Sequence, residues 1–458
     1  MSSGALPGFR DFYPDELARR AHIFRAWRAV ARKYAFVEYD GPPLEPLDLY
    51  TKKSGDEIVG QLYNFVDKGG REVALRPEMT PTFARMVGAR ANALRKPVRW
   101  FSTPQLFRYE RAQRGRLREH YQLNVDIVGE SSEVADAELL AVAIDIMREL
   151  GLTSADVRAR VSDRRLLNAI LSDSLQLSAE QVAVVYGVLD KISRTPDAAS
   201  RERLVAAAIE PQSIEVIMRL AGKSSDALPE EFGIAMPDRE PSARFQRFLD
   251  HCESLGIRDW IDVDFTIVRG LAYYTGTVFE LFDAKGELRA ICGGGRYDTL
   301  LKSLGGVDLP ALGFGMGDVV LGELLQDRGL FPVVNEDAVE LSLVAGNGAG
   351  ALGYTKALAL VTALRGAGFS VNHGMNAERY LGQATRNQVD SAKKSGAVSA
   401  ISFNEKGETE VTSLLGKMSG AATLVLDTTR VLAGDDTTMQ TLRTWLHEQR
   451  TLARQSNG

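Results

Sequence analysis

Between about residues 60 and 130, the short β-rich runs QLYNFV, EVALR, VRWFS, LFRYE and YQLNVDIV follow one another mostly across turns, with a single helical segment around 81–95. Strands joined this closely pair antiparallel, because a parallel pair needs a crossover of a dozen or more residues. A doubly wound nucleotide-binding sheet is therefore excluded here. Strand patterns resume at 261–268, 272–283 and 287–292, after a charged, helix-patterned stretch at 163–258 that carries no strand signal. The fold class this implies is α+β: an antiparallel sheet completed from two distant blocks, flanked by helices, with a helical insertion at about 163–258.

The flanking helices are read at 15–34, where Leu17, Ala21, Phe24, Trp27 and Ala31 recur at helical spacing behind Pro14, at 133–150, and from about 317. This first region spans 1–330. FPVVNED (331–337) reads as a linker. Beyond it, strand 339–344, helix 351–366, strand 369–373, helix 377–395 and strand 397–403 give a βαβαβ order. That order implies a small, parallel-centred α/β domain over 338–430. Residues 431–458 read as a C-terminal helix and polar tail.

Composition bounds the function classes. Two cysteines, Cys252 and Cys292, supply neither a disulfide framework nor a four-cysteine metal site, which fits a reducing cytoplasm. MSSGALPGFR lacks the apolar core of a signal peptide, and no run of about 18 apolar residues occurs. A cytoplasmic location with no membrane partner is expected. The net charge of −5 argues against a general nucleic-acid coat, although local basic patches can exist.

The segment QLFRYERAQRGRLREHYQLNVDIV (105–128) carries the most chemistry. Strand alternation sets Arg108 and Glu110 on one face, and His120, Gln122, Asn124 and Asp126 on one face of the next strand. Tyr121, Leu123, Val125 and Ile127 then point into a core. Polar groups converging on one face form a polar-ligand site or a solvated sheet face. Arg111, Arg114, Arg116 and Arg118 make the connecting loop either a polyanion grip or an ordinary polar loop. In LRPEMT (75–80), Glu78 and Thr80 can hold an ammonium group, though Pro-Glu is also a common helix start. In RGLAYYTGTVFE (269–280), Arg269 ends a buried-looking strand, so it meets a ligand or pairs with Asp262 or Asp264. The glycines of CGGGRYD (292–298) either cradle a phosphate or allow close backbone packing.

Together GFRDFYP, LRPEMT, FRYER with its arginine loop, YQLNVD, RGLAYYTGTVFE, CGGGRYD and GFGMG resemble the histidyl-tRNA synthetase family of class II aminoacyl-tRNA synthetases over nearly the whole chain. The resemblance implies a six- or seven-stranded antiparallel sheet in a homodimer, with YAFVEYDGPPLE (34–45) at the dimer interface and 338–430 as an anticodon-binding domain. It implies L-histidine, ATP and tRNA-His as substrates, with Mg²⁺ on the polyphosphate and no dedicated protein metal site. By the same resemblance Glu78, Thr80 and Gln122 meet the histidine α-amino group, and Asp126 with Tyr274 meets the imidazole. Met79, Tyr273 and Tyr297 line or close the histidine pocket. Arg108 holds the substrate carboxylate and the ATP α-phosphate, with Arg269 as the second catalytic guanidinium. Glu110 meets the adenine amino group, Arg116 the phosphates, and His120 stands where many members stack a phenylalanine. Arg111 and Gln113 reach the tRNA acceptor end.

The chain departs from the family pattern at two places. Gly317-Asp318-Val319-Val320 stands where members usually have G-L-E-R, so no arginine reaches the ATP γ-phosphate from there, and heavier use of Arg114 or Arg116 is expected. Ala272 stands where most members have aspartate. Two other readings share this core: the histidine-sensing regulatory subunit of ATP phosphoribosyltransferase, which generally lacks the C-terminal domain, and a non-charging synthetase paralogue.

Overall fold

The computed structural model describes residues 4–51, 60–111, 113–222, 234, 236–268, 274–332, 339–346, 349–373, 375, 377–415 and 422–455. Two compact units form, Met1–Tyr13 with Arg19–Leu330, and Pro14–Ala18 with Phe331–Gly458.

The first unit is built on a nine-stranded sheet. Its strands are β1 (Val37–Glu38), β2 (Val98–Ser102), β3 (Gln105–Phe107), β4 (Glu119–Val128), β5 (Val157–Asp163), β6 (Ile261–Val263), β7 (Thr277–Asp283), β8 (Cys292–Arg296) and β9 (Ala311–Gly317). In space they run β1-β2-β4-β9-β8-β7-β5-β6, with β3 on the first residues of β4. All pairs are antiparallel except the two outermost, β1 with β2 and β5 with β6. Those edge strands are short and are reached through the long excursions 39–97 and 164–260, which supply the crossover that parallel pairing needs. A separate antiparallel sheet joins Leu44–Pro46, Glu72–Leu75 and Asn64–Val66 in that order.

Alternation along β4 sorts its side chains as expected: Leu123, Val125 and Ile127 are fully buried on one face. Helix α3 (Glu133–Glu149), apolar nearly all round, packs on the sheet and against helix α4 (Glu240–Ser254). Its one buried acid, Asp136, takes the Arg296 guanidinium at 2.7 and 3.0 Å. Removing either partner would leave a buried charge unmatched. Helix α1 (Pro14–Lys33) buries Ile23, Ala26, Trp27, Val30 and Ala31, while Leu17, expected in its apolar stripe, is exposed. Helix α2 (Thr80–Arg90) follows LRPEMT, and helix α5 (Asp318–Asp327) follows β9. Between β5 and β6 the described residues hold helices and no strand.

The glycine run required a correction. The strand expected at 287–292 lies instead at 292–296, so CGGGR is itself β8, paired on both sides. A Cβ on Gly294 would lie 2.4 Å from Phe314 Cβ, and one on Gly295 2.5 Å from the Thr277 carbonyl oxygen. Close strand packing, rather than a phosphate cradle, therefore explains the run.

The second unit has five strands in the order Val371–Asn372, Leu341–Leu343, Ser399–Phe403, Thr409–Ser413, Thr423–Leu426. The first three are parallel, as the βαβαβ pattern implies, and the last two extend the sheet antiparallel. Helices Ala349–Gly366 and Asp436–Gln455 contribute Leu360, Val361, Leu364 and Leu442 to its core. The helix expected at 377–395 is two, Ala377–Gly382 and Thr385–Lys394.

Candidate active site

A cleft of about 820 Å³ opens on the polar face of the nine-stranded sheet, with Arg108, Glu110, Arg116, His120, Gln122 and Glu280 among its lining. Further along the same row of β4, Asn124 and Asp126 are 6% and 4% exposed, so this face is not a solvated one. Its floor is glycine. In register, Asp126 faces Gly313, Asn124 faces Gly315 and Gln122 faces Gly317, with Gly293 and Gly295 of β8 on the next strand. A Cβ on Gly313 would come 2.2 Å from Asp126 Oδ1, and one on Gly315 would come 2.7 Å from the Gln122 amide carbon. The alternating glycines leave room for the polar side chains of β4 to lie across β9. GFGMG thus has a positional meaning that its composition alone did not convey.

Arg108 continues the β3–β4 ladder, its N–H donating to Arg118 O at 2.9 Å, and its Nε donates to Pro77 O at 2.9 Å. That anchor fixes the guanidinium close enough to lower both a neighbouring acid and a neighbouring imidazole. Burial raises the Glu78 carboxyl above its ordinary value, and Arg108 opposes the rise. Burial, then Arg108 and Arg10, pushes His120 down to about 3, so its imidazole is neutral. Burial raises Asp126 to about 7, opposed by the Tyr297 hydroxyl, which donates to its Oδ1. A carboxyl poised near neutrality in a closed polar corner is characteristic of functional sites.

The site brings most of the expected residues together. Glu110 and Arg116 both line the cleft, ion-paired with each other. Thr80 opens α2, so LRPEMT serves both as a helix start and as the bearer of Glu78. Met79 is 1% exposed and backs the site, its sulfur 3.8 Å from Arg76 Nη1. Arg111 and Gln113 are exposed on the loop that turns at Gly115, whose φ of +72° favours glycine. Tyr274 is buried in a cluster with Tyr297, Phe83 and Val278. Tyr297 is the tyrosine whose bond to Asp126 the structure records. Arg269, Ala272 and Tyr273 lie outside the described residues. Both acids offered as structural partners for Arg269 have others: Asp262 pairs with Arg158 at 2.5 Å, and Asp264 with Arg160 at 3.7 Å. Gly276 stays small for Arg165, whose Nη2 a Cβ would approach to 2.3 Å.

Sequence reasoning missed the group that aligns the site's edges. Arg10, in GFRDFYP, binds Glu119 at 2.6 Å and Asp318 at 3.0 Å, and Asp318 accepts the Tyr121 N–H at 2.9 Å. This ties the first residues of β4 to the first turn of α5. It also missed Arg289, Arg194 and Glu280, all in the cleft wall. Arg289 has a local signal, a basic residue just ahead of CGGGRYD, whereas Arg194 is brought in from the insertion by tertiary folding alone.

Among the described residues no three His, Cys, Asp or Glu side chains gather into a metal site. Glu280 faces the cleft, and one carboxylate plus phosphate oxygens suits a nucleotide-borne Mg²⁺. No helix among the described residues is long and apolar enough to cross a membrane.

Comparison with known proteins places these features in a family. The histidyl-tRNA synthetase family model matches residues 8–317. A histidine–tRNA ligase of Opitutus terrae is 48% identical over 379 residues, covering 81% of this chain and 84% of that protein. A chloroplastic/mitochondrial histidine–tRNA ligase of Arabidopsis thaliana is 42% identical over 331 residues, covering 72% and 67%. In fold, the chain matches a histidyl-tRNA synthetase from Nostoc sp. PCC 7120 with a TM-score of 0.78 at 20% identity, covering 95% of this chain and 100% of that one. It also matches a Bacillus halodurans protein described as an ATP phosphoribosyltransferase regulatory subunit/histidyl-tRNA synthetase, with a TM-score of 0.70 at 22% identity and coverage of 88% and 99%. The motif order, the glycine-floored cleft and these matches agree: the chain belongs to the histidyl-tRNA synthetase family.

Proposed function

We propose that the cleft activates L-histidine with ATP and that the chain then transfers the histidyl group to the 3′ end of tRNA-His. The observation that carries this reading is the row His120, Gln122, Asn124, Asp126 laid over a glycine floor and closed by Tyr297. A buried carboxylate fixed by a tyrosine suits an imidazole N–H, and Glu78 with Thr80 and the Gln122 amide suit an ammonium. Arg108 lies beside Glu78, where a substrate carboxylate would meet it. Tyr274 packs beside that pocket with Tyr297 and Met79 supports it from behind, and the family resemblance gives Tyr273 a role in its lining.

The histidine carboxylate attacks the ATP α-phosphorus, an O–P bond forms as the bond to pyrophosphate breaks, and negative charge grows on the equatorial oxygens. Arg108 lines the cleft where that charge would grow, and the family resemblance assigns Arg269 as the second guanidinium; such groups stabilise the transition state more than the ground state. Glu110 receives the adenine amino group, neutral His120 lies against the base, and Arg116 turns from Glu110 to the phosphates. Mg²⁺, carried on the polyphosphate, would add charge neutralisation there. In the second step the terminal ribose hydroxyl attacks the adenylate carbonyl and gives its proton to a substrate phosphate oxygen, the new ester bond forming as the acyl–phosphate bond breaks and AMP leaves. Arg111 and Gln113, exposed on the loop, contact the acceptor end. Homodimer formation through 34–45 is favoured by the exposed edge β1, with Val37 61% exposed, and by exposed Phe65 and Val66 on the small sheet. Charging of tRNA-His with labelled histidine tests the whole reading; uptake of a different amino acid would contradict it.

Two expectations arise from the same corner. An alanine at 315 displaces the flexible Gln122 amide, whereas one at 313 meets Asp126 and the Val125 carbonyl oxygen. Gly315→Ala is therefore expected to raise the histidine KM with little change in Tm, and Gly313→Ala to lower stability by about 1–3 kcal/mol. Steady-state kinetics and thermal melts check both, and an unchanged KM in Gly315→Ala would remove Gln122 from the site.

The second concerns pH. Because Asp126 stands at about 7 against an ordinary 3.8, the folded protein holds a proton there that the unfolded chain has lost. The empty protein accordingly loses stability as pH rises from about 4 to about 7. Histidine binding needs the ionised acceptor, so the histidine KM is expected to fall as pH rises from 6 to 8, as measured by exchange kinetics. Asp126→Asn should flatten that dependence and melt higher than the native protein above neutral pH.

A further inference from the structure

The phosphate end of the cleft contains a cation that no motif marks. Val320, on the first turn of α5, and Gly115, at the loop tip, face each other there: a Cβ built on Gly115 would lie 3.3 Å from Val320 Cγ2 and 3.7 Å from Arg289 Cδ. The Gly317 N–H donates to Ile291 O at 3.3 Å, so the chain entering β8 runs beside the start of α5 and carries Arg289 to this point. Arg194, from the insertion, lines the same cleft. Of the two loop arginines expected to serve here, one is engaged elsewhere and the other must first leave an acid. Arg114 pairs with Glu323 at 3.1 Å and Asp327 at 3.6 Å and is not part of the cleft lining, while Arg116 pairs with Glu110. Arg289 and Arg194 have no carboxylate partner among the described residues.

A triphosphate brings several negative charges into a cleft whose other lining includes the acids Glu110 and Glu280. Guanidinium groups without a partner at one end are the complementary charge, and their planar fork matches phosphate oxygens. We propose that Arg289, assisted by Arg194, is a substrate-binding residue for the β- and γ-phosphates of ATP, supplying from the β7–β8 hairpin the cation that Val320 does not provide. This inference rests on the adenylation reading above. It differs from that reading in the residue it names and in the part of the nucleotide it assigns to it.

The test is histidine-dependent ATP–pyrophosphate exchange with the full chain, comparing the native protein with Arg289→Ala and Arg289→Lys, together with inhibition by AMP. Loss of a charge-assisted phosphate contact is expected to raise the ATP KM about 10- to 100-fold in Arg289→Ala, with a smaller rise in Arg289→Lys. The histidine KM and the AMP inhibition constant should stay at native values, because AMP lacks the two outer phosphates. An unchanged ATP KM in Arg289→Ala would overturn the assignment alone. An equal loss of AMP and ATP affinity would also overturn it, by showing that Arg289 only shapes the cleft. No exchange in the native protein would overturn the adenylation reading and this inference with it.

Discussion

Replacing Asp126 with alanine is expected to raise the histidine KM about 10- to 100-fold, the worth of one charge-assisted hydrogen bond, while leaving the ATP KM within about twofold. Asp126 is 4% exposed, anchored by the Tyr297 hydroxyl, and placed over Gly313 where no side chain can crowd it. A carboxylate in such a place is costly unless a ligand uses it. The empty site bears that cost as the raised pKa, and an imidazole N–H recovers it. Alanine removes the acceptor and leaves the Tyr297 hydroxyl without its partner, so Tyr297→Phe should show a weaker form of the same selective effect. Initial-rate exchange kinetics with each substrate varied in turn separate the two constants. Equal rises in both would show that Asp126 supports the fold of the cleft and does not read the imidazole.

Arg108→Ala is expected to lower the rate of adenylation about 10²- to 10³-fold, the range found when one preorganised donor to a developing charge is removed. The Pro77 carbonyl fixes Nε, so the remaining nitrogens point as a unit. Its position beside both Glu78 and His120 puts it between the amino-acid and nucleotide ends of the site. Arg108→Lys should recover little, because a lysine cannot hold the Pro77 oxygen and still present a fork. A loss of less than tenfold in Arg108→Ala would move the transition-state role elsewhere.

The legible parts of this chain were those written in local periodicity. The period-two pattern of 119–128 fixed which of its residues face the cleft, because a strand cannot change faces without slipping its register. The helices at 14–33, 133–149 and 318–327 were expected at 15–34, 133–150 and from about 317, the first from Pro14 and apolar spacing. The βαβαβ order likewise set the parallel strands of the C-terminal unit, whereas its two added antiparallel strands were missed. What failed to show was set by partners distant in sequence. CGGGR left a phosphate cradle and close backbone packing both open, and packing decides because Phe314 and Thr277 lie against the glycines. Gly276 likewise answers to Arg165, and Arg10 to Glu119 and Asp318. Arg114 looked like a phosphate ligand until α5 supplied it with Glu323 and Asp327. Arg289 was marked only by its place just ahead of CGGGRYD, and the role proposed for it follows from the hairpin that carries it beside Val320.

The most direct measurement is ATP–pyrophosphate exchange by the purified chain with each amino acid supplied in turn. Exchange that depends on histidine and on no other amino acid is the expected result. Histidine binding without exchange, or exchange with another amino acid, would contradict the assignment of this cleft to histidine activation.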